Sequence, residues 1–286
     1  MLDKLENAYS YQAIDISHSG LKILSKFLSE TFKSPKFSED YLHWLYNQNP
    51  AGNVIGYNAF FKSELVGHYA LIPIKARYKG KHIKALMSLN TATDKNHQGK
   101  GLFTILANMT YSKCYDLGFD LVFGVANANS IHGFISKLDW NYIDQLDTRI
   151  SLALPKKIKN KKLKNCLIFP LSDNETEWRL SNPNFDYSKD TYGALNVIAN
   201  ELNFFSRSII KVTEATFTNN KYPRPKINFW IGISNLYSWE RGLLQGIKIP
   251  EFLKPSPLHL IYKNLSSELK FDRTNIHFES INFDAF

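Results

Sequence analysis

Cysteine is scarce: Cys114 and Cys166 are the only two in 286 residues. Two thiols outside any metal-ligand spacing make neither a disulfide framework nor a zinc site, and the eight histidines form no HExxH-like cluster, so no disulfide and no metal are expected. Long hydrophobic runs are missing too. Nothing approaches the ~18 uninterrupted apolar residues that a membrane-crossing helix needs. The opening "MLDKLENAYSYQ" carries acids and lacks the basic-then-apolar layout of a signal peptide, which makes a cytoplasmic protein the expectation. What is present is apolar content: 44% of a chain this long can bury one large core or two ordinary ones, in one or two domains of mixed class.

The net charge of +9 invites a nucleic-acid reading, but "KKIKNKKLK" (Lys156 to Lys164) supplies six of those charges and leaves only +3 elsewhere. The run follows Pro155 and interleaves no aromatic residue for base stacking, so it reads as a solvated linker or loop near the middle of the chain rather than a phosphate-binding stripe. On either side stand two similar stretches. "YLHWLYNQNPAGNVIGYNAFF" (Tyr41 to Phe61) and "ETEWRLSNPNFDYSKDTYGALNVI" (Glu175 to Ile198) each place a Trp shortly before an Asn-Pro turn, with a strand-like run following. Two copies of one supersecondary unit predict two related domains, at 1–150 and 165–286, with 151–164 between them.

In the first half, "GLKILSKFLSETF" has apolar residues at helical spacing, and Ser38 is placed to cap a short helix that Pro50 ends. "VIGYNAFFK" and "ELVGHYALIPIKARYK" read as a hairpin around Lys62 to Glu64, and "KALMSLNTATD" as a strand stopping at Asp94. Behind it, "HQGKGLFTIL" packs two glycines and a lysine into a turn that runs straight into a helix closed by Gly118. Free amides and the helix dipole at such a start favour an anion, and Gly99 and Gly101 remove the side chains that would block it. "FDLVFGVANANSIHGFISKLDW" then reads as a buried strand from Leu121 to Val125, an Asn-rich turn and a short helix ending at Leu138.

At these residues the sequence resembles the GNAT acyltransferase superfamily. The family's first motif stands here as Gln98-Gly99-Lys100-Gly101-Leu102-Phe103; its second is matched by Asn127, Asn129, Ser130 and Leu138-Asp139-Trp140. The resemblance implies an α/β (α+β) fold with a central mixed, mostly antiparallel sheet flanked by helices, followed by a degenerate second copy. It also implies coenzyme A chemistry, with acyl-CoA as co-substrate. The amides of Gln98 to Phe103 would hold the pyrophosphate, Lys100 adding a cation. Thr91, Ala92 and Thr93 would pair with the pantetheine arm where two strands splay apart, and Asn129 would bond it from the other side. Three positions depart from the pattern: Phe103 stands where Gly or Ala is usual, Ile135 where many relatives place the Tyr that protonates the leaving thiolate, and Asp139 where the closing step has Gly.

Transfer to an amine needs a carbonyl held by fixed donors and a base, either a side chain or a water relay; the resemblance implies a backbone amide near Ala92 or Thr93 as the carbonyl's donor. His132 and His68 are candidates because imidazole titrates near neutrality, although a surface or hydrogen-bonded histidine without catalytic duty is the commoner reading of each. Tyr69 and Tyr142 are candidates to replace the missing thiolate acid. Trp44 and Trp230 suit stacking on a sugar or base, or core packing. Asn90, Asn127 and Ser88 suit acceptor hydroxyls or turn caps. Tyr237 and Glu240, with Trp230, lie in "KINFWIGISNLYSWERGLLQG", read as lining an acceptor pocket.

The "GLF" form of the turn, the Trp-Asn-Pro segment and the closing "IHFESINFDAF" resemble bacterial polysaccharide-biosynthesis sugar N-acyltransferases. That resemblance implies a dTDP- or UDP-linked amino sugar as acceptor, attacked directly in a ternary complex, in surface polysaccharide (O-antigen) synthesis. Three alternatives stand beside it: a transferase using aminoacyl-tRNA, as in peptidoglycan bridges, with the lysine run as its RNA contact; a non-catalytic acyltransferase-like binding module; and a nucleic-acid binder, which falls once the linker's charge is subtracted. Acyl chain, sugar and oligomeric state, including a homo-oligomer, are left open.

Overall fold

The computed structural model describes residues 9–158, 166–219, 226–238, 246–250 and 256–283. Strand β1 (Tyr9–Ala13) is followed by helices α1 (His18–Phe32) and α2 (Glu39–Asn47). Both helices start at a serine whose side chain accepts a first-turn amide, Ser17 from Gly20 and Ser38 from Tyr41. Strands β2 (Ile55–Phe61), β3 (Glu64–Tyr78) and β4 (Lys81–Thr93) follow, the first hairpin turning on Lys62 and Ser63 at positive φ. Then come α3 (Leu102–Asp116), β5 (Leu121–Asn127), α4 (Ile131–Leu138), β6 (Asn141–Gln145) and β7 (Asp147–Ser151). The second half holds β8 (Lys156–Lys157), α5 (Asp173–Leu180), β9 (Tyr187–Asn203), β10 (Ser206–Asn219) and β11 (Ile227–Ile233). It ends with β12 (Tyr237–Ser238), β13 (Ile247–Lys248), β14 (Leu258–Asn264) and β15 (Phe278–Glu279).

Seven strands form the first sheet in the order β1-β2-β3-β4-β5-β14-β6, antiparallel except at β4-β5. Alternation along β3 and β4 gives it two apolar faces. Ala70, Ile72, Ala85 and Met87 pack with Leu24 and Leu28 of α1 and Leu42 and Leu45 of α2. Tyr69, Leu71 and Leu86 pack with Leu106 and Ala107 of α3 and Phe134 of α4. The second sheet runs β13-β7-β11-β10-β9, with β15 added to β11.

The sheets do not divide where the sequence suggested. β7, from the first half, lies in the second sheet, and β14, from the second half, is inserted between β5 and β6. The exchange is pinned by charges gathered on the buried Asp147, which takes Arg273 at 2.6 Å, Lys248 at 3.0 Å and Arg149 at 3.1 Å. Burial opposes the charge on Asp147, but these three cations outweigh it and hold its pKa below the usual carboxylate value. The lysine run also departs from a plain linker, since its first two residues form β8 against Tyr237–Ser238; 159–165 lie outside the described residues.

The internal repeat is visible side chain by side chain. Ser172 caps α5 as Ser38 caps α2, and Trp178 and Trp44 follow their caps at the same distance. Asn182 and Asn49 are buried, and each accepts the amide two residues on. Each unit then has a long antiparallel hairpin, β3-β4 or β9-β10, whose second strand pairs in parallel with the next strand for four residues, Ala85 to Ser88 and Ser206 to Ile209. The second unit has only residues 220–226 between β10 and β11, too few for a counterpart of the fifteen-residue α3. The two tryptophans stack on each other, centroids 5.0 Å apart, and each donates its indole N–H to the other's backbone carbonyl, at 2.6 and 2.9 Å.

Candidate active site

β4 and β5 part company after Ser88 and Gly124, leaving the edge of β4 from Leu89 onward without a neighbour on that side. A bulge accompanies the split. Asn90 and Thr91 together oppose Tyr69, because pairing resumes only at His68 and Ala92. Asn90 adopts φ +53°, a conformation that asparagine tolerates better than most residues.

A hydrogen-bond chain holds the bulge from beneath. Asn90 Nδ2 donates to Tyr46 Oη at 3.0 Å, Tyr46 Oη pairs with His68 Nε2 at 2.9 Å, and His68 Nδ1 with Asn58 Oδ1 at 2.7 Å. The carboxamide oxygen only accepts, so His68 carries its proton on Nδ1 and receives the Tyr46 hydroxyl on Nε2. Burial lowers the His68 pKa to about 3 and raises that of Tyr46, so both stay neutral. With no exposed surface and both nitrogens committed, His68 is not available as a base; it positions the bulge. Tyr46 and Asn58 were not legible as site residues, because the chain joins side chains from α2, β2, β3 and β4.

On the opposite face, the buried Tyr69 hydroxyl lies 2.6 Å from that of Tyr111, which also accepts the Trp140 indole at 2.9 Å. Burial raises the pKa of Tyr69, and it remains a proton donor at neutral pH. Ser88, the last β4 residue paired with β5, donates to Tyr69 at 3.4 Å and joins this network to the inner end of the gap.

Past Thr93 the chain makes a short 3-10 turn, Lys95–His97, capped by Asp94. Tyr9 Oη meets His97 Nδ1 at 2.8 Å, and the Gln98 amide reaches back to the Thr93 carbonyl at 3.4 Å, tying the turn down at both ends. Gly99 and Gly101 follow at φ +74° and +80°, left-handed conformations that put their requirement for glycine in the backbone itself. No side chain caps α3, so its first-turn amides are left for something else. Lys100 is exposed beside them. Phe103 does not fill the site. Its ring turns onto α4, edge-on to Phe134 at 5.3 Å, and a Cβ on Gly133 would lie 3.4 Å from it.

The other candidates separate. Asn129 is exposed on the β5-α4 turn, while the Asn127 oxygen accepts the amides of Asn129 and Ser130 and so builds that turn. His132 and Ile135 are exposed on α4, and Asp139 closes the helix at φ +54°, the conformation its family glycine would take. Tyr142 is half-exposed on β6. Trp44 is buried against Trp178 and Trp230 in the second sheet's own cluster, so neither reaches the gap. Glu240 lies outside the described residues. Thr91 Oγ1 is buried with no partner, an orphan in the strand expected to meet the pantetheine arm.

Residues 15–143 match the acetyltransferase (GNAT) domain family. No curated protein matches the chain. Among solved structures, a probable N-acyltransferase from Enterococcus faecalis V583 has TM-score 0.60 at 8% identity, covering 90% of this chain and 73% of its own. A GCN5-related N-acetyltransferase from Kribbella flavida gives 0.58 at 9%, covering 91% and 72%, and one from Anabaena variabilis 0.57 at 11%, covering 90% and 73%. The gap, the bulge and the glycine turn all fall within the matched span; the chain has the GNAT fold, and its residues 15–143 are similar to the acetyltransferase domain family.

Proposed function

We propose that the protein is an acyl-coenzyme A-dependent N-acyltransferase. The observation that carries this is the succession of three features along the chain: an unpaired strand edge at 89–93, an orphaned hydroxyl on Thr91 within it, and uncapped helix amides behind Gly99 and Gly101. A pantetheine arm carries two amides and adds to a free edge as a strand would; a diphosphate suits a helix N-terminus. Gln98 to Phe103 would hold the diphosphate, Lys100 would add positive charge, and Asn129 would bond the arm across the gap. Bound acyl-CoA supplies the thioester. The Asn90 bulge turns a backbone amide near Ala92 or Thr93 toward its carbonyl, where fixed donors stabilise developing negative charge. An acceptor amine attacks that carbonyl, its proton passing to water or to the exposed His132. The proton taken from the amine returns through water or His132 to the departing thiolate, beside the Ser88 hydroxyl that Tyr69 holds at the inner end of the gap, in the role left open by Ile135.

The narrower reading takes the acceptor to be a dTDP- or UDP-linked amino sugar, in surface polysaccharide synthesis. It rests on the sequence resemblance, with the acceptor met by residues other than Trp44 and Trp230. The test is a thermal shift with coenzyme A, acetyl-CoA and a panel of such sugars, since a ligand bound only by the folded state raises the midpoint. A shift with coenzyme A that Gly101→Val abolishes supports the site, and a sugar that also shifts names the acceptor. A folded protein that responds to no coenzyme A species overturns the reading.

A further inference from the structure

In the second unit the opening that corresponds to the β4-β5 gap is filled by the chain itself. β11 pairs with β7 along one edge as far as Gly232, so the pairing of Gly232 with Glu279 and of Ile233 with Phe278 uses the other edge, the one β10 has left. β15 is thus wedged between β10 and β11. The Glu279 carboxylate accepts the Val212 amide at 3.1 Å, taking a backbone group that an added strand would use. Beside this wedge a cavity of about 330 Å³ remains, walled by Phe169, Leu171, Val212 and Ile281. Ile168, on its lining, pairs with Arg77, ten residues along β3 from the Gly67 that faces Thr93. At ~3.3 Å per residue the cavity lies on the order of 30 Å from the coenzyme A gap.

Its polar groups are unbalanced. The carboxylate and carboxamide oxygens are engaged: one Glu279 oxygen takes the Val212 amide, the other faces His277 Nε2 at 3.3 Å, and Asn282 Oδ1 takes the Glu279 amide, which leaves His277 Nδ1 as the unpaired acceptor. The donors are not engaged. Lys211 has no ion pair among the described residues, the Tyr237 hydroxyl has no hydrogen bond there, and the Asn282 amide nitrogen is likewise unused. Glu214 stands exposed at the rim. We infer that this cavity binds a small carboxylate with an apolar body, of the medium-chain or aryl-alkanoate class, its head on Lys211, Tyr237 and Asn282 and its body against the apolar walls. Burial holds the Lys211 pKa below the usual lysine value, against the opposing pull of the Glu279 carboxylate. The volume falls at the small end of ligand pockets.

The test uses the full chain and four probes: octanoate, 3-phenylpropanoate, octanamide and octylamine, read by thermal shift and calorimetry. Either carboxylate is expected to bind at least about tenfold more tightly than the amide or amine, with Lys211→Met removing that preference. Tyr237→Phe, which keeps the ring in its cluster, should weaken the carboxylate and serves if Lys211→Met does not fold. Coenzyme A binding should be unchanged in both, and Gly101→Val should leave carboxylate binding intact. Equal or tighter binding of amide or amine, no response to either carboxylate, or a response unaltered in the variants would overturn the assignment.

Discussion

His68 shows how a residue type that suggests catalysis is diverted into architecture. The native ring stays neutral down to about pH 3, whereas an unfolded histidine titrates near ~6.5. Below that value the unfolded chain takes up a proton that the native state refuses, so the stability from His68 is complete above ~6.5 and is lost as pH falls toward 3. His68→Gln is accordingly expected to flatten the decline of Tm between about pH 7 and 5, whatever it does to the absolute Tm. Asn90 is the more sensitive test of the bulge. Asn90→Ala removes both the bond to Tyr46 and a side chain that tolerates φ +53°, for a loss of about 1–2 kcal/mol and a fall in kcat exceeding the rise in KM. Gly101→Val places a branched side chain at φ +80° and should abolish retention on immobilised coenzyme A. The glycine turn was legible because its requirement is local and written in residue type. The relay through Tyr46 and Asn58 was not, since nothing in residues 22 and 10 positions from His68 announces a shared hydrogen bond.

Two helix ends were legible from serine and glycine, because a cap is a contact between near neighbours: Ser38 and Gly118 both sit where capping needs them. Phe103 was harder. It stands where the resemblance expects Gly or Ala, yet the ring finds its space over Gly133, a compensation thirty residues away. The Trp-Asn-Pro repeat was also legible, but its purpose was not: the matching tryptophans meet each other rather than a ligand. Trp178→Phe would leave the Trp44 carbonyl without its donor and is expected to lower stability by about 1–3 kcal/mol, measured by urea unfolding. Combined with Trp44→Phe, the total should fall short of the sum, since the two share one contact.

Strand exchange sets the stability of the whole molecule. Sequence periodicity marks where strands are, not which distant strand each will join, and so the placement of β7 and β14 was out of reach. Asp147→Ala would remove the anion that Arg149, Lys248 and Arg273 share, leaving Arg273 with Asp144 alone, and is expected to lose about 1–3 kcal/mol, with both units melting together in one calorimetric transition. β14 has a further consequence. While the ribosome is still making the second unit, the first sheet has β5 and β6 in hand but not the strand that lies between them. Its edge must stay protected until residue 264 has cleared the exit tunnel, so the first unit closes only after nearly all of the second has been synthesised. A chaperone that shields that waiting edge would matter more to the yield of this protein than to one whose domains finish in turn.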